Sequence, residues 1–368
     1  METSSRVTNV EYALVGPDLE ILHKVNLVIE DNIVEHIGNG WDSKGETYPN
    51  SLLMPGLVNG HTHAFDGLVP EYGVSLSLKE VVGDPRSEKY RILKGHEFDD
   101  LKNITLNLLT KSLSIGVLSV IDFKELDMLG AKVAKAVKNE SPINYIGLGR
   151  LDQEINEERL FALKELVDGY GVSSISLGEA SLELIGRVFG DKWTAIHISE
   201  TLKQNLINDL ETAISALKPK LVVHGTNLTN EEFSMIAERG IKLVVCPRSN
   251  MWFSVGIPKI PMMFDAKVDL LFGTDNYGLI DHNLWKEMEM ALLISRLLSP
   301  SSDFSRDILK SATVHPDLGV NPIEEGKKIT GIILNPVDRF EASLNKYMSL
   351  IKSPGNVVRV LGLPRILN

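Results

Sequence analysis

Met54-Pro55-Gly56-Leu57-Val58-Asn59-Gly60-His61-Thr62-His63 decides how this chain is read. An apolar run with the length of a short buried strand ends in two histidines spaced two apart. Side chains on a strand alternate between its faces, so both imidazoles leave the same side. One strand can in this way offer two ligands to one metal ion. Nitrogen and oxygen donors suit zinc, iron, nickel or manganese, and the pair by itself does not choose among them. On spacing alone, two ordinary strand-end histidines read equally well.

Three later segments shift that balance: Ala195-Ile196-His197-Ile198-Ser199-Glu200, Leu221-Val222-Val223-His224-Gly225-Thr226, and Leu270-Leu271-Phe272-Gly273-Thr274-Asp275-Asn276. Each is a short apolar run that ends in a histidine or an aspartate where the pattern breaks. Chemical groups at the C-terminal ends of several parallel strands are the arrangement of a (β/α)8 barrel. Strand-like runs recur at 57–61, 117–123, 144–149, 174–177, 195–198, 221–224, 241–246 and 270–272, and helical stretches at 97–115, 157–170, 203–217 and 230–238 separate several of them. Eight such units predict a closed α/β barrel, a (β/α)8 TIM-like fold, rather than an open doubly wound sheet. Before it, short apolar stretches at 12–15, 24–29 and 33–38 alternate with turn residues, and 357–362 has the same character. The predicted organisation is a small β-sandwich domain built from both termini (1–53 and 324–368) around a catalytic barrel (54–323).

The order His-x-His, His, His, Asp resembles the amidohydrolase superfamily. It is most similar to the mononuclear branch of cytosine deaminase-like and triazine chlorohydrolase-like enzymes, through His197-x-x-Glu200 and the segment Cys246-Pro247-Arg248-Ser249-Asn250. The resemblance covers most of the chain and makes the two-ended β-domain an expectation of the family as well as of the pattern. It implies His61, His63, His197 and Asp275 as ligands of one divalent transition metal, with zinc expected and Fe2+ or Mn2+ as alternatives. A position left open for water makes such a site catalytic rather than structural. Asp275 is expected to accept the water's proton as well. His224 is implied as the imidazole that hydrogen-bonds the attacking or developing oxygen, and Glu200 as the carboxyl that moves protons between water, ring nitrogen and leaving amine. A carboxylate that merely begins a helix is the plainer reading of Glu200. The binuclear branch is represented here by Glu179 alone, which reads as a surface or pocket carboxylate.

Substrate contacts are expected from the barrel rim: Arg150 after the third strand, Arg248, Asn250 and Trp252 after the seventh, and Asn276 beside the aspartate. A ring could stack on Trp252, and either arginine could meet a carbonyl or carboxylate. The chain departs from the family after His63, where Ala64-Phe65-Asp66-Gly67 replaces a glutamine-bearing segment, and after Asp275, where Asn276-Tyr277-Gly278 replaces a serine-bearing one. The metal machinery transfers across those departures and the substrate does not. The function predicted is hydrolysis of a non-peptide C–N bond, chiefly deamination of an amino-substituted nitrogen heterocycle. Cyclic amide hydrolysis is the alternative within the enzymes, and a non-catalytic barrel scaffold the alternative outside them.

Composition bounds the rest. The chain has 368 residues, 43% hydrophobic, with 38 Lys+Arg against 49 Asp+Glu for a formal charge of −11. That balance argues against nucleic acid as a partner and for a small-molecule substrate. No apolar run approaches the roughly 20 residues a membrane span requires, and the first residues lack a signal peptide's pattern. A soluble cytoplasmic protein without a membrane partner is expected, with a homo-oligomer left open. Cys246 is the single cysteine, which precludes an intrachain disulfide, and reads as a buried small hydrophobe.

Overall fold

A computed structural model describes residues 5–82, 87–201, 207–335 and 339–363. The chain opens with β1 (Ser5–Val15), β2 (Glu20–Glu30), β3 (Ile33–Asn39) and β4 (Glu46–Pro55), and closes with β14 (Gly331–Asn335) and β15 (Asn356–Leu361). These six make one mixed sheet in the order β15-β14-β4-β1-β2-β3, parallel only between β1 and β4. Asp31 and Asn32 join β2 to β3 with positive φ at both positions (45° and 66°), the backbone a two-residue hairpin turn requires. Period-two alternation divides the sheet between two cores. Leu53 and Ile333 pack among Val10, Val25 and Leu27, whereas Leu52, Met54, Ile332 and Leu334 join the core of the barrel.

The barrel is a wholly parallel sheet of β5 (Leu57–His63), β6 (Val117–Phe123), β7 (Asn144–Gly149), β8 (Gly169–Val172), β9 (Trp193–Ile198), β10 (Leu221–His224), β11 (Lys242–Val245), β12 (Asp269–Phe272) and β13 (Asp275–Asn276). β12 and β13 are two halves of one eighth strand. The first half pairs with β11, and after the break at Gly273 and Thr274 the second pairs with β5, so that Asp275 faces Thr62 and the circle closes. The break lets the eighth strand serve two neighbours and brings Asp275 beside the two histidines. No helix among the described residues is long and apolar enough to cross a membrane.

The helices at Phe98–Ser114 and Asn230–Glu238 stand within a residue of the expected spans. Thr229 and Glu232 close the second of these with reciprocal side-chain-to-backbone bonds of 3.3 and 2.7 Å, satisfying amides that a helix start leaves unpaired. The fourth barrel strand differs from expectation. It runs over Gly169–Val172, overlapping the end of the span 157–170 read as helix, while 174–177 forms a short 3-10 turn at Ile175–Leu177 and the helix ends at Lys164. Gly169 and Gly171 hid this strand, because both are there for close packing: a Cβ on Gly169 would lie 2.2 Å from the Trp193 carbonyl oxygen, and one on Gly171 2.6 Å from Phe123. The expected helix 203–217 is present as Asp209–Thr212 continued by a π-turn at Ala213–Leu217, and its start falls outside the described residues.

Candidate active site

All seven residues of β5 are buried, and His61 and His63 project from it to one side with ring centroids 4.8 Å apart. His197 on β9 and His224 at the end of β10 come in from across the barrel, with centroids 5.0 and 5.8 Å from His61. The carboxylate of Asp275 completes the group, its Oδ1 3.1 Å from Nε2 of His61 and 3.7 Å from Nε2 of His63. Donor atoms of His61, His63 and His197 lie within 4.8 Å of one another, and so do those of His61, His224 and Asp275.

Neighbouring groups fix how three of the imidazoles sit. Nδ1 of His63 donates to Glu125 Oε1 at 2.7 Å, Nδ1 of His197 donates to the Val172 carbonyl at 3.0 Å, and Nδ1 of His224 accepts from the Asn250 amide at 3.2 Å. His63 and His197 therefore keep Nε2 as a bare lone pair turned into the site, whereas His224 carries its proton on Nε2 as a donor. His61 Nδ1 is buried with no partner. Oδ2 of Asp275 accepts from Ser249 Oγ, leaving Oδ1 toward the histidines.

The electrostatics favour a cation. Burial depresses the pKa of all four imidazoles, that of His63 to about 4, so each is neutral at pH 7. Burial would raise Asp275, yet the bond from His61 and the electrostatic pull of His61, His224 and His63 hold it well below the usual carboxylate range. Three neutral nitrogen donors and one carboxylate, buried together, are a donor set that fits a divalent transition metal. Glu200 stands apart from it. Its Oε1 is 3.7 Å from His224 Nε2, and burial followed by the charge of Asp275 pushes its carboxyl up to about 8.

The rim residues are placed less uniformly. Trp252 is 45% exposed, in the short helix Pro247–Trp252 that comes after β11, and is no core aromatic. Arg248 is spoken for: its guanidinium contacts Glu287 Oε1 at 2.6 Å, Asp281 Oδ1 at 2.7 Å and two backbone carbonyls. Arg150 pairs with Asp152 at 2.9 Å. Asn276 donates to the Tyr72 hydroxyl at 3.1 Å and accepts from the amides of Gly278 and Leu279, so its polar atoms shape the turn after β13. Glu179 is exposed in the first turn of the helix Glu179–Phe189 and is not part of the donor cluster. Cys246 is fully buried, as its sequence surroundings suggest.

Sequence reading misses a buried charged group behind His63. Glu125, two residues past β6, accepts from His63, and Lys89 Nζ reaches the same Oε1 at 2.6 Å while also lying 3.1 Å from Asp66. Three charges gathered at 66, 89 and 125 have no common spacing that could announce them. Ser249 is a second such residue, although it lies within the Cys-Pro-Arg-Ser-Asn segment.

Known proteins give this geometry its context. The chain is 31% identical over 335 residues to a protein of Methanothermobacter thermautotrophicus provisionally named an aminohydrolase, covering 85% of this chain and 87% of that one. It is 26% identical over 339 residues to a 5-methylthioadenosine/S-adenosylhomocysteine deaminase of Pyrococcus furiosus, covering 82% and 79%. Its fold matches the crystal structure of an adenosine deaminase from Xanthomonas campestris with bound zinc at a TM-score of 0.80 and 18% identity, over 98% of this chain and 94% of the other. The model of the amidohydrolase family matches residues 52–360, most of the chain and all of the site. The chain belongs to the amidohydrolase family, whose members are metal-dependent hydrolases.

Proposed function

We propose that this hydrolase removes an exocyclic amino group from a nitrogen heterocycle, releasing ammonia, and that His61, His63, His197 and Asp275 hold its metal. The observation that carries the reading is a carboxyl, Glu200, that keeps its proton near neutral pH beside a metal-capable cluster it does not join. A divalent ion bound there would lower the pKa of a coordinated water from about 16 toward 7. Zinc is the ion we propose, on the nitrogen-rich donor set and on the zinc in the Xanthomonas campestris structure.

The chain's own groups divide the remaining work. Asp275 takes the water's proton, with Ser249 holding the other side of the carboxylate. His224, its Nε2 proton fixed by Asn250, donates to the oxygen that attacks the ring carbon. Glu200 gives its proton to the ring nitrogen as that carbon becomes tetrahedral. The proton taken from water then goes to the exocyclic amine, which leaves as ammonia while the C–N bond breaks, and the hydroxyl proton on the same carbon returns to Glu200 as the carbonyl forms, restoring the acid. Trp252 and Phe253 would supply an apolar wall for the ring. Purine amines head the substrate panel, because the Pyrococcus furiosus relative is named a 5-methylthioadenosine/S-adenosylhomocysteine deaminase.

The test is a panel of aminopurines, aminopyrimidines and aminotriazines beside a panel of cyclic amides, each monitored by an ammonia-coupled assay and a ring-opening assay. Ammonia from the first panel is expected. Ring opening without ammonia would replace deamination with cyclic amide hydrolysis, and no turnover on either panel with the metal in place would favour the scaffold.

A further inference from the structure

We propose that Glu125, steadied by Lys89, is the positioning residue that sets the imidazole of His63 for metal binding; this rests on His63 being a ligand. Glu125 is 1% exposed and Lys89 4%, so neither is a surface charge that happened to fold inward. The single oxygen Oε1 accepts from His63 Nδ1 at 2.7 Å and from Lys89 Nζ at 2.6 Å. An ionised carboxylate can only accept, so Nδ1 carries the ring's proton and Nε2 is left bare, 3.7 Å from Asp275 Oδ1.

Lys89 explains why that carboxylate stays ionised. A buried glutamate left alone takes up a proton, and a carboxylic acid could donate to Nδ1 and reverse the tautomer. The ammonium of Lys89 opposes this at 2.6 Å, and Asp66, 3.1 Å from the same Nζ, balances it on the other side.

The backbone independently pins Glu125. Leu126 and Asp127 both adopt left-handed φ (68° and 55°), turning the chain sharply after β6 into the helix Asp127–Glu140. The carbonyl of Glu125 then rests on Gly130, where a Cβ would stand only 1.8 Å from it. A glycine at that point of the helix and two strained residues fix the backbone at Glu125, while a lysine from a segment 36 positions away holds its carboxylate. That is more constraint than tethering a loop requires.

Two double variants isolate the hydrogen bond: Lys89→Met/Glu125→Gln and Lys89→Met/Glu125→Leu. Both remove the same two charges and deprive Asp66 of Lys89 equally, so they differ in whether residue 125 can accept from Nδ1. Zinc affinity is measured by chelator competition, and the His63 tautomer by 15N NMR on metal-free protein. The glutamine double should keep the Nδ1–H form and bind zinc within a few fold of wild type. The leucine double should populate the Nε2–H form and bind zinc about 10- to 100-fold more weakly. Equal affinities and equal tautomers in the two doubles would overturn the proposal. So would an Nε2–H tautomer in metal-free wild type, a measurement that does not depend on either variant folding. His63→Ala separates the two levels of inference: undiminished zinc affinity there would remove His63 from the ligands and take the positioning role with it, whereas weakened affinity beside equal doubles sinks the positioning role alone.

Discussion

Replacing Glu200 by glutamine should cost turnover and leave the metal in place. Its carboxyl is outside the donor cluster and, at 3.7 Å from His224 Nε2, makes no direct hydrogen bond to that ring, so the amide can occupy the same space without disturbing a ligand. With the carboxyl pushed up to about 8 by burial, it can hold the acidic proton near neutral pH. Glutamine has no proton to give. General acid–base catalysis is worth about 10²- to 10⁴-fold, so kcat should fall by that factor, or about 2.7–5.5 kcal/mol on the barrier. The pH profile carries a second signature. The working form is the protonated one, so activity should decline as pH rises through the folded-state pKa. A bound divalent ion stabilises the carboxylate and draws that decline below 8, and in Glu200→Gln this limb should vanish. Metal content by elemental analysis after dialysis, with kcat from ammonia release, compares Glu200→Gln against His63→Ala, which should lose metal. Equal metal loss in the two variants would show Glu200 to be a ligand and refute the reasoning.

Three further outcomes are expected. Purified protein should carry about one divalent ion per chain by elemental analysis, and chelation should abolish turnover that zinc then restores; protein active without any metal would contradict the site. Lys124→Met should destabilise the fold by about 3–5 kcal/mol in denaturant titration, because the fully buried Lys124 is the ion-pair partner of the equally buried Asp122 and its loss strands that carboxylate. A loss under about 1 kcal/mol would mean the carboxylate finds another partner at no cost. Gly273→Ala should destabilise by about 1–3 kcal/mol and weaken zinc binding in titrations, since the new Cβ would meet the His61 Cβ at 2.7 Å and its carbonyl at 2.9 Å. Unchanged zinc affinity would show that the eighth strand can shift without moving His61.

The sequence is legible where a strand imposes its period on the residue pattern. His61, His63, His197, His224 and Asp275 each end an apolar run, and their convergence is a consequence of those runs being parallel neighbours in a closed sheet. β4 escapes because its first half, Glu46–Asn50, is exposed apart from the half-buried Tyr48, and only Ser51–Pro55 is buried. The short β14 escapes because five residues beyond a turn-rich stretch give too little pattern. β8 is displaced by its own glycines. The rim arginines are less legible for a different reason. Composition shows that a cation is present but not that a carboxylate has already engaged it, as Glu287 and Asp281 engage Arg248. Glu287 is itself fully buried, with its carboxyl pushed up to about 7 by burial against the pull of Arg248, and nothing in its helical neighbours announces that.

The placing of Glu200 shows most clearly where periodicity stops being informative. Strand spacing ends at Ile198, and the turns beyond the strand ends adopt backbone that regular structure does not: Ser199 has φ 45°, His224 φ 73° and Gly225 φ 59°, with Asp275 at φ 59° on the eighth strand. Each left-handed non-glycine residue costs roughly 1–3 kcal/mol, and such positions persist only where surrounding bonds over-determine them. Here they do. The amide and hydroxyl of Ser199 donate to the buried Asp209 at 2.5 and 2.8 Å, and the Gly225 amide bonds back to Ile198 at 3.0 Å. Asn227 ties the two turns together, its backbone amide reaching the Ser199 carbonyl at 3.0 Å and its side chain the Glu200 carbonyl at 2.9 Å. The distance between the Glu200 carboxyl and the His224 ring is therefore set by a hydrogen-bonded pair of strained turns after β9 and β10. Asp209 and Asn227 fix the proton-handling group without approaching the metal cluster, and substituting either should alter turnover through the position of Glu200 while leaving metal content unchanged.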